Sequence, residues 1–131
     1  LFVCLHGSAK SLIAAEYFRR LTAERGLNVH ATSAGTEPDP DISPNVITGL
    51  LQDGIDVRDR RPRRLTTEDL AKASHVVSFG CDLSELAPPG LPVERWDDVP
   101  AVSADFATAR DAIVARLRRL LVAWESSKRA G

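Results

Sequence analysis

Cys4-Leu5-His6-Gly7-Ser8-Ala9-Lys10-Ser11 places a thiol, a small-residue loop, a cation and a hydroxyl within eight residues. A thiolate nucleophile needs stabilisation, which a helix N-terminus and a neighbouring cation supply. A tetrahedral anion needs converging N–H groups, which a tight loop running into a helix supplies. Gly7 suits the positive φ such a loop requires, and Ser8 and Ala9 are small enough for close backbone approach. Three side chains have two readings each. Ser11 is either a helix cap or a hydrogen-bond partner of the Cys4 sulfur. Lys10 is either the cation of the site or an exposed helix residue. His6 is either a nearby acid or base or a loop residue facing water.

The elements around this stretch must hold it. Leu1 to Val3 reads as the end of a buried strand. The spacing of Leu12, Ala15, Tyr17, Phe18 and Leu21 predicts a helix from about Ser11 to Arg25, stopped by Gly26. Leu27 to Thr32 alternates apolar and polar residues and predicts a second strand, with Ser33-Ala34-Gly35-Thr36 as a turn. Ser43-Pro44 starts a helix that runs to about Asp53, and Gly54 ends it. Thr66 or Thr67 caps a short helix reaching about Ala73. His75 to Phe79 is a buried strand, followed by the loop Gly80-Cys81-Asp82. Pro92 to Trp96 makes a short last strand, 97–104 a loop, and a long helix from about Ala104 to Glu125 carries Phe106, Ile113, Leu117, Leu120 and Leu121 on one face. Alternating strands and helices predict an α/β three-layer sandwich: a central parallel sheet of about four strands with helices on both faces. In such sheets ligands sit beyond the C-terminal strand ends, so the segments at Cys4, Ser33, Cys81 and Asp97 are expected to meet at one edge.

With 131 residues, the chain suits one domain, spanning 1–131. Lys plus Arg number 17 against 18 Asp plus Glu, which gives no signal for nucleic acid or an anionic membrane as partner. The basic run Arg58, Arg60, Arg61, Arg63 and Arg64, answered by Asp56 and Asp59, reads as a solvated loop or as a rim contact for an anionic substrate. Two cysteines, Cys4 and Cys81, do not make a secreted disulfide framework. No apolar run reaches membrane-spanning length and no signal peptide is evident, so a cytoplasmic location is the default expectation. The chain starts inside a strand-like run, which leads to the expectation that residues precede Leu1.

Phe2-Val3-Cys4, five residues, a base, then Ser11 opening a helix with Ala14-Ala15-Glu16-Tyr17-Phe18, resembles the low-molecular-weight protein tyrosine phosphatase family. That superfamily also contains the thioredoxin- and mycothiol-coupled arsenate reductases. Thr32-Ser33-Ala34-Gly35-Thr36 is similar to its second landmark. Gly54-Ile55-Asp56-Val57 and the strand at His75-Phe79 fall where the family has similar pieces, so the resemblance covers essentially the whole chain. Trp96 and Arg110-Asp111-Ala112-Ile113 look like the reductase branch. The resemblance implies that Cys4 attacks phosphorus or arsenic. It implies that the N–H groups of Leu5, His6, Gly7, Ser8, Ala9, Lys10 and Ser11 hold the equatorial oxygens. Ser11 would support the thiolate, Ser33 would brace the loop, and neither metal nor cofactor is required.

The chain departs from the family pattern at several places, and one is that His6 and Gly7 replace the usual glycine and asparagine, which alters the loop's turn and bracing. Lys10 stands where the family has arginine, giving a point charge instead of a two-pronged fit. The family's acid is an aspartate directly before proline; here Val99 precedes Pro100, with Asp97 and Asp98 just upstream. Asp98 is the preferred proton donor, Asp97 the next and Asp105 the third, with surface carboxylates as the alternative. Cys81 lies about one residue from the resolving cysteine of the thioredoxin-coupled reductases, and 82–88 contains no third cysteine, which excludes a three-thiol relay. Cys81 is therefore either structural or the partner of a direct disulfide with Cys4. The first expectation is hydrolysis of a phosphomonoester, including protein phosphotyrosine, through a phosphocysteine. Arsenate reduction with Cys81 or an external thiol reductant is the second. A non-catalytic oxyanion binder is the third. Trp96 is the only obvious aromatic near the site, so support for an aryl ring is weak, and the oligomeric state is open.

Overall fold

The computed structural model describes residues 1–130, with side chains described as far as Glu125. Its elements are β1 (Phe2–Cys4), α1 (Lys10–Glu24), β2 (Ser33–Gly35), α2 (Pro44–Gln52), α3 (Thr67–Lys72), β3 (Val76–Ser78), β4 (Val93–Arg95) and α4 (Phe106–Ala130). The strands form one parallel sheet in the order β2-β1-β3-β4. Because β1 is central, both its faces are covered. Phe2 and Cys4 pack with Val77, Phe79 and buried side chains of α1, α2 and α4. Val3 packs on the other face with Ala34, Leu65, Leu70 from α3, and Val76. The three-layer α/β expectation holds.

Helix α1 is sandwiched between sheet and α4, and its residues 11–18 are all buried. On α4, Ile113, Leu117 and Leu121 are fully buried at a helical spacing that keeps them on one face. Thr66 caps α3 through a capping box: its hydroxyl accepts from the Asp69 N–H, and the Asp69 carboxylate accepts from the Thr66 N–H. Among the described residues, no helix is long and apolar enough to cross a membrane.

Helix α4 runs to Ala130, past the expected end near Glu125, and the second strand differs from the sequence expectation outright. Leu27 to Thr32 is not a strand; β2 begins at Ser33 and uses the residues read as a turn. Phe2 pairs with Ser33, Val3 with Ala34 and Cys4 with Gly35. The physical reason is space. A Cβ on Gly35 would lie 2.6 Å from the Gly7 nitrogen and 2.8 Å from the His6 carbonyl carbon. Only a small-residue segment can run beside the loop that follows β1, and that requirement outweighs the alternation upstream.

Candidate active site

The loop after β1 is shaped from outside. The carbonyls of Cys4, Leu5, His6 and Ser8 accept from the N–H groups of Thr36, Glu37, Asp39 and Ser43 at 2.7–3.3 Å. Each carbonyl is thereby turned toward the 36–43 segment. Among the described residues, no main-chain N–H from Leu5 to Ser11 donates to a protein acceptor. Gly7 makes the turn at φ 62°, and the Gly35 nitrogen lies 2.9 Å from where its Cβ would be. Helix α1 has no side-chain cap at Ala9 and no acidic residue in its first turn. An uncapped helix start and loop N–H groups without protein acceptors together make an anion cradle.

Cys4 and Ser11 are both buried, with Sγ and Oγ 3.0 Å apart. The Ser11 hydroxyl therefore serves the sulfur and is not the helix cap. Lys10 turns into the cleft: its Nζ donates to the Val99 carbonyl at 2.9 Å. A cleft of about 310 Å³ opens here, reached by Cys4, His6, Ser8, Lys10 and Asp39. A larger cavity, about 560 Å³, lies at the opposite end of the sheet around Leu1, His75 and Trp124 and contains no cysteine. The smaller one holds Cys4, Lys10 and the loop after β1.

Residues beyond the opening stretch also converge. The Ser8 hydroxyl donates to Asp39 Oδ2 at 2.9 Å, and Ser43 Oγ donates to Ser8 Oγ at 3.3 Å. His6 Nδ1 lies 3.3 Å from Asp39 Oδ1 and 3.3 Å from the Glu37 carbonyl. Asp39 escaped the sequence reading, although Pro38-Asp39-Pro40 marked a rigid turn that had to face something.

The late-loop carboxylates do not reach the cleft. Asp97 accepts from Arg95 Nε at 3.0 Å, and Asp98 is paired with Arg116 of α4. Asp105 accepts from the Ala107 N–H and the Thr108 hydroxyl at the start of α4. Ser33 stands opposite Phe2, two residues before the level of Cys4, and its hydroxyl makes no bond to the loop among the described residues. Trp96 is no cleft wall: it is 3% exposed and packs its ring among Phe2, Phe79 and the Arg116 guanidinium.

Cys81 is buried beside Val3 and Ala34. Burial pushes its thiol up, and the nearby Cys4 sulfur adds repulsion, while hydrogen bonding with Thr36 and Ser78 offsets part of the rise. Both thiols are buried and free. The basic run is largely neutralised, with Arg58 on Asp56, Arg60 on Glu16, Arg61 near Asp41 and Arg63 on Asp69. Among the described residues, no group of three His, Cys, Asp or Glu is placed to hold a metal ion.

Known proteins resemble this chain in sequence and in fold. The chain is 27% identical over 97 residues to a protein from Halobacterium salinarum provisionally named an arsenate reductase, covering 72% of this chain and 68% of that one. The crystal structure of YfkJ from Bacillus subtilis superposes with a TM-score of 0.84 at 22% identity, covering 97% of this chain and 94% of that one. A thioredoxin-dependent arsenate reductase from Corynebacterium glutamicum matches with a TM-score of 0.76 at 26% identity, covering 99% of this chain but 61% of that one. The family model for low molecular weight phosphotyrosine protein phosphatase matches residues 1–89, which hold the cradle, Cys4, Ser11, Asp39 and Cys81. With that match over more than half its length, the chain belongs to the low molecular weight phosphotyrosine protein phosphatase family.

Proposed function

We propose that the protein is a cysteine-dependent phosphatase that cleaves a phosphomonoester through a phosphocysteine. The carrying observation is the Cys4–Ser11 pair at the floor of a loop whose N–H groups have no protein acceptor. Cys4 attacks phosphorus as the thiolate, with Ser11 donating to the sulfur. The N–H groups from Leu5 to Ser11 hold the three equatorial oxygens as negative charge builds on them. Lys10 swings from the Val99 carbonyl to the phosphoryl group and supplies the point charge. The P–O bond to the leaving group breaks, and water then cleaves the P–S bond, releasing phosphate and the thiolate. The comparisons support a phosphatase-superfamily enzyme, and the ring of Phe79 lines the cleft beside Cys4 and Lys10. Nitrophenyl phosphate hydrolysis by wild type and Cys4→Ser tests this; equal rates contradict it. Phosphate binding without any turnover supports instead a non-catalytic oxyanion binder.

A second reading, arsenate reduction, is favoured by Cys81, a free thiol in the segment that follows β3, the strand paired with β1. Cys4 displaces water from arsenate to form an S–As bond. Cys81 then attacks the Cys4 sulfur, the S–As electron pair leaves with arsenic as arsenite, and a Cys4–Cys81 disulfide remains. An external dithiol reduces that disulfide. Arsenate-dependent thiol oxidation that is lost in Cys81→Ser supports this reading. No oxidation with any thiol donor excludes it.

A further inference from the structure

Phosphoryl transfer to Cys4 leaves a negative oxygen on the departing group, and something must protonate it. The family-like position for that acid is occupied by Val99, whose carbonyl holds Lys10. Asp97, Asp98 and Asp105 are committed to Arg95, Arg116 and the start of α4. Among the residues that line the cleft, the titratable side chains are Cys4, His6, Lys10 and Asp39. Cys4 is the nucleophile and Lys10 the cation, which leaves His6 and Asp39.

These two form a pair. His6 Nδ1 faces two acceptors, Asp39 Oδ1 and the Glu37 carbonyl, each at 3.3 Å, so Nδ1 carries a hydrogen. Asp39 is itself fixed by the Ser8 hydroxyl at 2.9 Å, and its main-chain N–H donates to the His6 carbonyl at 3.0 Å. Nε2 has no protein partner among the described residues, and the ring is half-exposed at the cleft mouth. A carboxylate on one ring nitrogen and a second nitrogen left free, on a residue that lines the cleft, is the arrangement of an oriented proton carrier.

We propose that His6, oriented at Nδ1 by Asp39, donates the proton to the leaving oxygen. This rests on the phosphatase reading above. As the Cys4 sulfur bonds to phosphorus, the P–O pair goes to the leaving oxygen, which takes the Nε2 proton from the imidazolium. In the second step the neutral Nε2 takes a proton from the water that attacks phosphorus, and the P–S pair returns to Cys4. Asp39 touches no reacting atom and is a positioning residue.

The test compares kcat/KM, which ends at phosphocysteine formation, for phenyl phosphate and dinitrophenyl phosphate. The first leaving group needs a proton and the second does not. His6→Asn is expected to lose on the order of 10²-fold more on phenyl than on dinitrophenyl phosphate, the low end of general-acid contributions. Asp39→Asn, which keeps an acceptor for Ser8 and for Nδ1, is expected to show the same split at smaller size. Equal losses on both substrates assign His6 a structural role and overturn the proposal. The split appearing in Asp97→Asn or Asp98→Asn overturns it too. If wild type shows no Cys4-dependent turnover of dinitrophenyl phosphate, the phosphatase reading itself fails. Each rate ratio is taken on one protein sample, so partial unfolding cancels.

Discussion

Lys10 is the side chain whose identity most changes the chemistry. A lysine at the first position of α1 can reach the cradle as a point charge but cannot grip two oxygens at once. Its Nζ donates to the Val99 carbonyl at 2.9 Å. Lys10→Met should lower kcat/KM roughly 10- to 100-fold, from the ~1.5–3 kcal/mol of a hydrogen bond to a charged group. Lys10→Arg should move the rate the other way. The loss in Lys10→Met should be equal for good and poor leaving groups, which separates anion binding from proton donation. The sequence named Cys4, Lys10 and Ser11 because their chemistry is local: they lie on one strand end and one helix start. It could not name Asp39, whose approach to Ser8 depends on how a loop 31 residues away folds back. Nor could it tell that Asp98 would be drawn onto Arg116, since α4 lies beyond the loop that carries it.

At the scale of elements, the cradle exists because β2 and the loop after β1 touch backbone to backbone. Gly35→Ala would press a methyl against Gly7 and displace the loop. It should cost about 1–3 kcal/mol by overpacking and weaken phosphate binding, read by thermal unfolding and by calorimetry on the same protein. Thr66→Ala should cost about 1 kcal/mol from the loss of the α3 cap, with no change in phosphate affinity. Helix positions were legible because buried residues recur at helical spacing and because Gly26 and Gly54 follow α1 and α2. The second strand was misplaced because half-exposed Leu27 and Val29 alternate as strand residues do, while the real strand is Ser-Ala-Gly, which carries no strand propensity. Its register is fixed by the neighbouring loop, a tertiary demand that local pattern does not express.

Across the whole molecule, the helical layer is tied together by polar contacts far from the cleft. Tyr17 of α1 donates to Asp53 just after α2, and Arg110 of α4 donates to the same carboxylate at 3.1 Å. The Tyr17 hydroxyl and the Arg110 guanidinium hold Asp53 below the usual carboxylate range, while burial and the same bond push Tyr17 up. A depressed carboxylate adds stability above its unfolded pKa of about 4 and loses it as pH falls through the folded value. The stability gap between wild type and Asp53→Asn should therefore be full at neutral pH and close below about pH 4. Urea midpoints across that range check it. Tyr17→Phe should cost about 1 kcal/mol without altering turnover, because Tyr17 lies outside the cleft. The three-layer architecture was legible from element order alone. Its division into one face covered by α1, α2 and α4 and another by α3 required the observed strand order.

The proposed chemistry turns on a covalent bond at one sulfur. The most direct measurement is rapid acid quench of wild type mixed with dinitrophenyl phosphate, followed by mass spectrometry of the peptide that contains Cys4. A single phosphoryl group on Cys4, formed as fast as dinitrophenol appears and absent in Cys4→Ala, is the expected result. Turnover with that peptide unmodified, or turnover undiminished in Cys4→Ala, would contradict it.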